Sequence, residues 1–187
     1  MQMGFYFDQT RCTGCFTCSV ACKDWHDIPA GPANWRRVIN IEKGKFPDVF
    51  VAYLSLSCCH CEAPACVEAC PAGAITKRSE DGVVLVDPEA CLGKDSCGVC
   101  LEACPYDVPQ FREDGASKME KCNFCIDRLS EGKPPICVAG CPMRALDAGP
   151  VDQLEAKYGA NRGAEGFAHD PELRPGILFK PKHSKIS

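Results

Sequence analysis

The segment "RCTGCFTCSVACKDW", residues 11–25, places four cysteines within eleven positions. They are Cys12, Cys15, Cys18 and Cys22, spaced C-x2-C-x2-C-x3-C. Thiolates are soft ligands that suit zinc and iron–sulfur clusters. A short loop can wrap three of them around one small inorganic group, while the fourth, about one helical turn later, points elsewhere. The segment therefore predicts a metal centre that needs more chain to complete it.

Three further cysteine groups follow along the chain. Their members are Cys58, Cys61, Cys66 and Cys70, then Cys91, Cys97, Cys100 and Cys104, then Cys122, Cys125, Cys137 and Cys141. A proline follows the last cysteine of each of these three groups, whereas Lys23 follows the first group. Of the 17 cysteines only Cys59 falls outside the scheme. We interpret Cys59 as a small buried apolar residue.

The flanks of the cysteine groups repeat as well. "FYFDQTRC" and "VVLVDPEAC" each run from apolar residues through an aspartate to a first cysteine four residues later. The spacing is the bacterial ferredoxin signature, in which three cysteines hold one [4Fe–4S] cluster and the fourth reaches the neighbouring cluster. Sixteen cysteines in four groups therefore predict four iron–sulfur clusters of the [4Fe–4S] type.

Two alternatives use the same residue type. Structural zinc sites contain paired C-x2-C knuckles, but they rarely add a third cysteine at the same spacing or a terminal Cys-Pro. A disulfide scaffold has no need for a repeated spacing. The N-terminal "MQMGFYFDQTRC" also lacks a secretory signal, which weakens the disulfide interpretation because cytosolic thiols stay reduced.

Composition excludes other classes of function. The net charge of −4 argues against nucleic acid as a main partner. No apolar run approaches the roughly 18 residues that a bilayer span needs, and "VFVAYLSLSCC" is too short, so no direct membrane span is expected. The chain shows no nucleophile, acid–base pair or substrate motif, so we expect no bond chemistry from the chain itself.

Several segments together resemble a known family. They are "RCTGCFTCSVACKDW", "LSLSCCHCEAPACVEACPAGAITKR", "GVVLVDPEACLG", "ACPYDVPQF" and "KCNFCIDRLSEGKPPICVAGCPMRALDAGPVDQLEAKYG", which cover most of residues 5–159. The family is that of the four-cluster ferredoxin-like electron-transfer subunits of the dimethyl sulfoxide reductase superfamily of molybdenum and tungsten enzymes. Lys23 fits this resemblance, since members tend to lack proline there.

The resemblance implies how the cysteine groups combine, with groups one and four pairing and groups two and three pairing. It assigns cluster one to Cys12, Cys15, Cys18 and Cys141, and cluster two to Cys22, Cys122, Cys125 and Cys137. It assigns cluster three to Cys58, Cys61, Cys66 and Cys104, and cluster four to Cys70, Cys91, Cys97 and Cys100.

The third group departs from the family pattern. Five residues, "LGKDS", separate Cys91 from Cys97 where two are usual, and Lys94 occupies the position of the first cysteine when the group is aligned from Pro105. We interpret this as a three-residue loop insertion with Cys91 still a ligand. A three-iron cluster, or a site that uses Asp95, is the alternative.

The fold class expected is α+β, with two pseudosymmetric bacterial-ferredoxin-like halves that each hold two clusters. Residues 1–158 form this four-cluster domain with a strand-containing insertion at 23–57, and residues 159–187 form an extended C-terminal arm that lies on this subunit or on a partner. Strands are predicted at Phe5–Phe7, Arg37–Ile41, Val49–Ser55 and Val83–Val86. Short helices are predicted in "SVACKDWH", "CVEAC" and "GVCLEAC", with a longer one at Val151–Lys157.

The resemblance also implies a function and partners. It predicts a non-catalytic subunit that relays single electrons between a molybdopterin (Mo or W) catalytic subunit and a second redox partner, such as a quinone-linked membrane subunit. The complex would be cytoplasmic or membrane-associated, or exported to the periplasm with a signal-bearing partner. A free polyferredoxin is the alternative, and the insertion and the arm argue against it because they resemble docking elements.

Metal analysis separates the cluster prediction from zinc and disulfide. Anaerobically purified protein should be brown and contain about sixteen irons per chain with a matching amount of acid-labile sulfide, since each cubane holds four of each. Colourless protein with zinc, or with disulfides and no metal, would contradict the prediction.

Overall fold

The computed structural model describes residues 1–112 and 118–184. Their strands, in chain order, are β1 (Met3–Asp8), β2 (Arg36–Lys45), β3 (Asp48–Ser57), β4 (Ile75–Lys77), β5 (Val84–Val86), β6 (Gln110–Phe111), β7 (Met119–Glu120), β8 (Leu146–Pro150) and β9 (Ile177–Lys180). Their helices are α1 (Thr17–Trp25), α2 (Ala65–Glu68), α3 (Val99–Ala103), α4 (Ile126–Ser130), α5 (Ile136–Ala139) and α6 (Val151–Tyr158). The mixed α and β content agrees with the expected fold class.

A three-stranded sheet in the order β8-β1-β9 brings both ends of the chain together. All six residues of β1 are buried, which suits a central strand covered on both faces. Strand β8 pairs with β1 antiparallel and β9 pairs with it parallel. Because Cys12 follows β1 and Cys141 precedes β8, this sheet joins the first and fourth cysteine groups.

A smaller ribbon joins the second and third groups in the same register. In the β1–β8 pair, Phe7 lies opposite Leu146. Phe7 is five residues before Cys12, and Leu146 is five residues after Cys141. In the β4–β5 pair, Val86 lies opposite Ile75. These residues are likewise five before Cys91 and five after Cys70. An aspartate four residues before Cys12 or Cys91 makes the same bond in each pair. The Asp8 N–H donates to the Ala145 carbonyl, and the Asp87 N–H donates to the Ala74 carbonyl, both over 2.8 Å.

The predicted insertion forms a hairpin of two ten-residue strands, β2 and β3, whose base is buried and whose tip is exposed. At the tip Phe46 is 91% exposed, whereas at the base Leu54 and Leu56 lie in the main core and β3 runs directly into Cys58. The register places Arg36 opposite Ser57. The hairpin therefore contributes to the interior that surrounds the cysteines.

The helices are short, and several begin with a cysteine loop or a proline. Helix α1, with nine residues, is the longest, and helices of this length are marginal without tertiary contacts. The sequence prediction found α1, α2, α3 and α6, but it missed α4 and α5, which follow Cys125 and Pro135. None of the helices in the described ranges combines the length and apolar character required to cross a bilayer.

The C-terminal segment lies on this subunit over the described part, 159–184, while 185–187 fall outside the described residues. Its β9 strand completes the main sheet, and Leu178 is fully buried against Tyr6 and Leu154. The Gln9 side chain donates to the Glu165 carbonyl over 3.0 Å, and Lys182 Nζ donates to the Val51 carbonyl over 2.7 Å. The pairing of β9 with the distant strand β1 holds this segment in place. The sequence did not reveal this pairing, because the segment has little periodicity.

Substitution Leu178→Ala tests how far the C-terminal strand stabilises the fold. We expect it to lower the free energy of unfolding by about 2–5 kcal/mol, as buried leucine truncations do. The matched control Phe46→Ala, at the exposed hairpin tip, should change it by less than about 0.5 kcal/mol. Denaturant unfolding of cluster-loaded protein measures both, and equal losses would contradict a structural role for β9.

Candidate metal centres

Site one is a cavity lined by Cys12, Cys15, Cys18 and Cys141. The first three cysteines come from the loop after β1 and from the first turn of α1, and the fourth follows α5. Apolar side chains such as Phe7, Val38 and Leu146 form much of the remaining wall. Thr17 Oγ1 donates to Cys15 Sγ over 3.4 Å, and Cys15 is the one exposed member.

Site two contains Cys22, Cys122, Cys125 and Cys137, all of them buried. Burial raises the pKa of Cys22, and the charges of Cys122, Cys137 and Cys125 raise it further, which reflects their proximity. His26 Nε2 lies 3.2 Å from Cys125 Sγ. This contact joins the end of α1 to the fourth group, and the histidine has no ligand spacing that would have revealed it.

Site three is a cavity lined by Cys58, Cys61, Cys66 and Cys104. Cys59 also borders this cavity and is 2% exposed, with its Sγ 3.7 Å from the Ser57 carbonyl oxygen. Its burial agrees with the small apolar role expected for the cysteine outside the scheme.

Site four is a cavity lined by Cys70, Cys91, Cys97 and Cys100. The inserted loop thus leaves Cys91 beside the other three. Cys91 Sγ accepts backbone N–H groups from Gly93 at 3.4 Å and from Met119 at 3.5 Å. Lys94 and Asp95 lie in the exposed part of the loop.

The first cysteine of every group is followed by the same local turn. The residue two positions later has positive φ: Gly14 (69°), His60 (45°), Gly93 (87°) and Phe124 (62°). In groups two, three and four its N–H donates to the first cysteine's Sγ over 3.4 Å. Charge-assisted N–H···S bonds of this kind offset thiolate charge. Cys91 therefore has the same backbone environment as the first cysteines of groups two and four.

A second turn recurs after the Cys-Pro pairs. The third residue after the last cysteine, Gly73, Asp107 or Arg144, has positive φ and donates its N–H to that cysteine's carbonyl over 3.2 Å. A left-handed conformation costs a non-glycine residue about 1–2 kcal/mol. Gly73 is a residue type that indicates a turn with positive φ, whereas Asp107 and Arg144 did not allow the turn to be predicted from the sequence.

Burial keeps most of these thiols protonated in the absence of metal. It raises the pKa of Cys61, Cys66 and Cys125 to about 12, and that of Cys100 and Cys122 to about 11. Thiolate is the form that binds metal. Binding must therefore release protons, and the free energy of binding must also offset the repulsion among four thiolates.

The donor sets fit a cluster better than a single ion. No disulfide joins any of the 17 cysteines, so the structure gives no support to a disulfide scaffold. A single zinc ion needs its sulfurs about 2.3 Å away on all sides. Within residues 1–112 and 118–184 no three His, Cys, Asp or Glu side chains converge closely enough for one metal ion. Four thiols around a shared cavity, as at sites one, three and four, instead suit a larger inorganic core.

Three polar side chains near the cysteines are buried. Arg36, His60 and Lys121 are each no more than 4% exposed. Lys121 Nζ donates to the carbonyls of Val84 and Cys122. Burial lowers the pKa of His60 well below its ordinary value, so it is neutral, with Nδ1 accepting the Val84 N–H over 3.0 Å. His60 and Lys121 are next to cysteines in the sequence, but the sequence alone did not show that these three polar side chains are buried.

Comparison with known proteins gives a consistent family. Residues 49–151 match the model of the 4Fe-4S dicluster domain. The chain is 45% identical to the B subunit of anaerobic dimethyl sulfoxide reductase from Escherichia coli K12, over 96% of this chain and 89% of the relative. It is 41% identical to the protein of that name from Haemophilus influenzae, over 100% and 93%. It is 38% identical to the formate dehydrogenase iron-sulfur subunit of Wolinella succinogenes, over 80% and 82%.

These matches confirm the family resemblance that the sequence segments carry. They also support the prediction of [4Fe–4S] cofactors, and the 17 cysteines suffice for four of them. The chain belongs to the 4Fe-4S dicluster proteins, in the group of iron–sulfur subunits that includes the B subunit of anaerobic dimethyl sulfoxide reductase.

Proposed function

We propose that this chain is a non-catalytic subunit that relays single electrons between a molybdopterin (Mo or W) catalytic subunit and a second redox partner, such as a quinone-linked membrane subunit. The observation that carries the proposal is the gathering of sixteen cysteines into four sets of four. Two relatives are named as a subunit of a reductase and as an iron–sulfur subunit of a dehydrogenase, which supports a catalytic partner.

Each of the four sites would hold one [4Fe–4S] cluster through the four cysteines described for it. Such a cluster supplies reversible one-electron oxidation and reduction when bound. The residues around it bind the iron, exclude water and direct N–H groups at the sulfurs. Burial and hydrogen bonding of this kind set the reduction potential.

Shared walls support an order of sites one, two, three and four. Lys121 borders the cavity of site three and immediately precedes Cys122 of site two. Met119 borders the cavities of both site three and site four. Cys18 of site one and Cys22 of site two lie one turn apart on α1. Neighbouring sites thus share a lining residue or take cysteines from the same short segment, which supports a relay between adjacent clusters.

Repetition of local structure supports two pseudosymmetric halves, one with groups one and four and the other with groups two and three. The β1–β8 and β4–β5 pairs share their register relative to the cysteines. The Oδ1 atoms of Asp8 and Asp87 each accept an N–H from two residues later over 2.9 Å. We retain residues 1–158 as the four-cluster domain, with 159–187 as a C-terminal arm.

Exposed apolar residues at the two outer sites support contact with partners there. Phe16, Val20 and Met143 are exposed around site one, where Cys15 is also exposed. Leu92 and Val99 are exposed beside site four. The complex would be cytoplasmic or membrane-associated, or carried to the periplasm by a signal-bearing partner.

Substitutions in the third group test the ligands of site four. Cys91→Ala should remove or convert one cluster, because the site loses a thiolate that the cavity requires, whereas Asp95→Asn should retain four. Cys59→Ala is the matched control for removing a buried cysteine outside the sets. Iron, sulfide and electron paramagnetic resonance of the reduced proteins measure this. Loss of a cluster in Asp95→Asn but not in Cys91→Ala would assign the ligand to the aspartate.

Purification of the native assembly under anaerobic conditions tests the proposed function. We expect molybdenum or tungsten to copurify together with a large second chain. We also expect that chain's substrate to oxidise reduced clusters if the chain is a reductase, or to reduce oxidised clusters if it is a dehydrogenase. A chain that purifies alone with about sixteen irons and no other metal would instead be a free polyferredoxin.

A further inference from the structure

Arg36 is a buried cation with no counter-charge among the described residues. It is 2% exposed, and no carboxylate in residues 1–112 and 118–184 forms an ion pair with it. Its neighbour Arg37, by contrast, pairs with Asp107 at 3.7 Å. An isolated buried charge is costly unless something nearby compensates it. The compensation for Arg36 must therefore come from groups other than carboxylates.

Neutral groups hold the guanidinium in place. Nη1 donates to Ser55 Oγ over 3.2 Å and Nη2 donates to Ser57 Oγ over 2.7 Å. The guanidinium carbon lies 4.6 Å from the centre of the Phe5 ring. Nε is buried and has no hydrogen-bond partner. The side chain is thus fixed by oxygen acceptors and an aromatic face, none of which neutralises its charge.

The cysteines of two sites surround this cation. Ser55 Oγ also lies 3.4 Å from Cys18 Sγ, so one hydroxyl links site one to the guanidinium. The cysteines whose charge, once ionised, acts on the guanidinium are Cys137, Cys18, Cys122 and Cys22, one from site one and three from site two. Burial raises the pKa of Cys137, and the positive charge of Arg36 opposes that rise.

We propose that Arg36 is a positioning residue whose fixed positive charge, shared between sites one and two, raises the reduction potentials of the clusters held there. The inference rests on the proposed function. Four thiolates give each site negative charge, and each added electron increases it, so a nearby cation favours the reduced state. An arginine suits this role because it cannot lose its proton.

The test compares variants of the cluster-loaded native assembly by redox titration followed with electron paramagnetic resonance. Arg36→Met removes the charge at similar length, and Arg36→Lys retains it. Lys43→Met is the matched control, because Lys43 is a cation on the same strand whose charge is exposed and paired with Glu165 at 2.6 Å. Single cysteine-to-alanine variants, one in each set, assign the signals to sites.

We expect Arg36→Met to lower the equilibrium constant for reduction of the clusters at sites one and two at least tenfold. For a one-electron couple this corresponds to a reduction potential lower by about 59 mV. The equilibrium constants at sites three and four should change by less than about threefold, because the effect of a charge weakens with distance. Arg36→Lys should restore most of the loss at sites one and two, because lysine retains the positive charge. Unmoved potentials, an equal shift at all four sites, or a lysine variant as low as methionine would each overturn the inference while leaving the relay intact.

A second pair of variants decides the matter if Arg36→Met does not load its clusters. Ser57→Asp places a carboxylate against the guanidinium and neutralises it, while Ser57→Asn is its uncharged match. Lower potentials at sites one and two in the aspartate variant than in the asparagine variant support the inference, and equal potentials there overturn it. Wild-type protein without clusters would instead overturn the proposed function itself.

Discussion

The requirement to hold four thiolates around one buried inorganic core governs this structure. With 17 cysteines in 187 residues, much of the interior that aliphatic side chains would normally fill is lined by sulfur, and Cys18, Cys58, Cys122, Cys137 and Cys141 belong to the main core. Thiols whose pKa burial raises to about 11 or 12 ionise only if a metal replaces their protons. The helices are too short to be stable alone, so we expect the helices and cysteine loops around the sites to depend on cluster binding.

Positive backbone φ angles are the local means by which that requirement is met. The turn after each first cysteine is used equally by Gly14 and Gly93 and by the bulkier His60 and Phe124, and in three of the four groups it directs an N–H at sulfur. At Gly14 an added Cβ would lie 2.3 Å from Tyr53 Cε1, so that loop also needs the missing side chain for space. Where the residue is not glycine, the surrounding packing must offset the conformational cost.

Cysteine spacing predicted the four groups along the chain, because ligand spacing is a local property that a short loop must satisfy. The combination of these groups into four sets was implied by the family resemblance. Strands with apolar runs, such as β1 and β3, could also be predicted from the sequence. Contacts between residues far apart in the sequence could not, such as the placement of Arg36 near Cys137 and the pairing of β9 with β1. Helices α4 and α5 were not predicted, although the predicted helices α2 and α3 are equally short. The inserted loop at residues 92–96 left the status of Cys91 open, and only its cavity and its N–H···S contacts argue for ligation.

The pairing of the first cysteine group with the fourth has a consequence for how the protein is made. Sites three and four draw their cysteines from residues 58–104, so a nascent chain contains every ligand for them well before synthesis ends. Sites one and two cannot be completed until Cys137 and Cys141 have been synthesised. The sheet beside them is completed later still, when β9 has been synthesised. Contacts of such sequence separation form late because closing a long loop is entropically costly. Until then the thiols of residues 12–22 are exposed to oxidants and stray metals, which makes the N-terminal loop the part of the molecule most in need of protection during biogenesis.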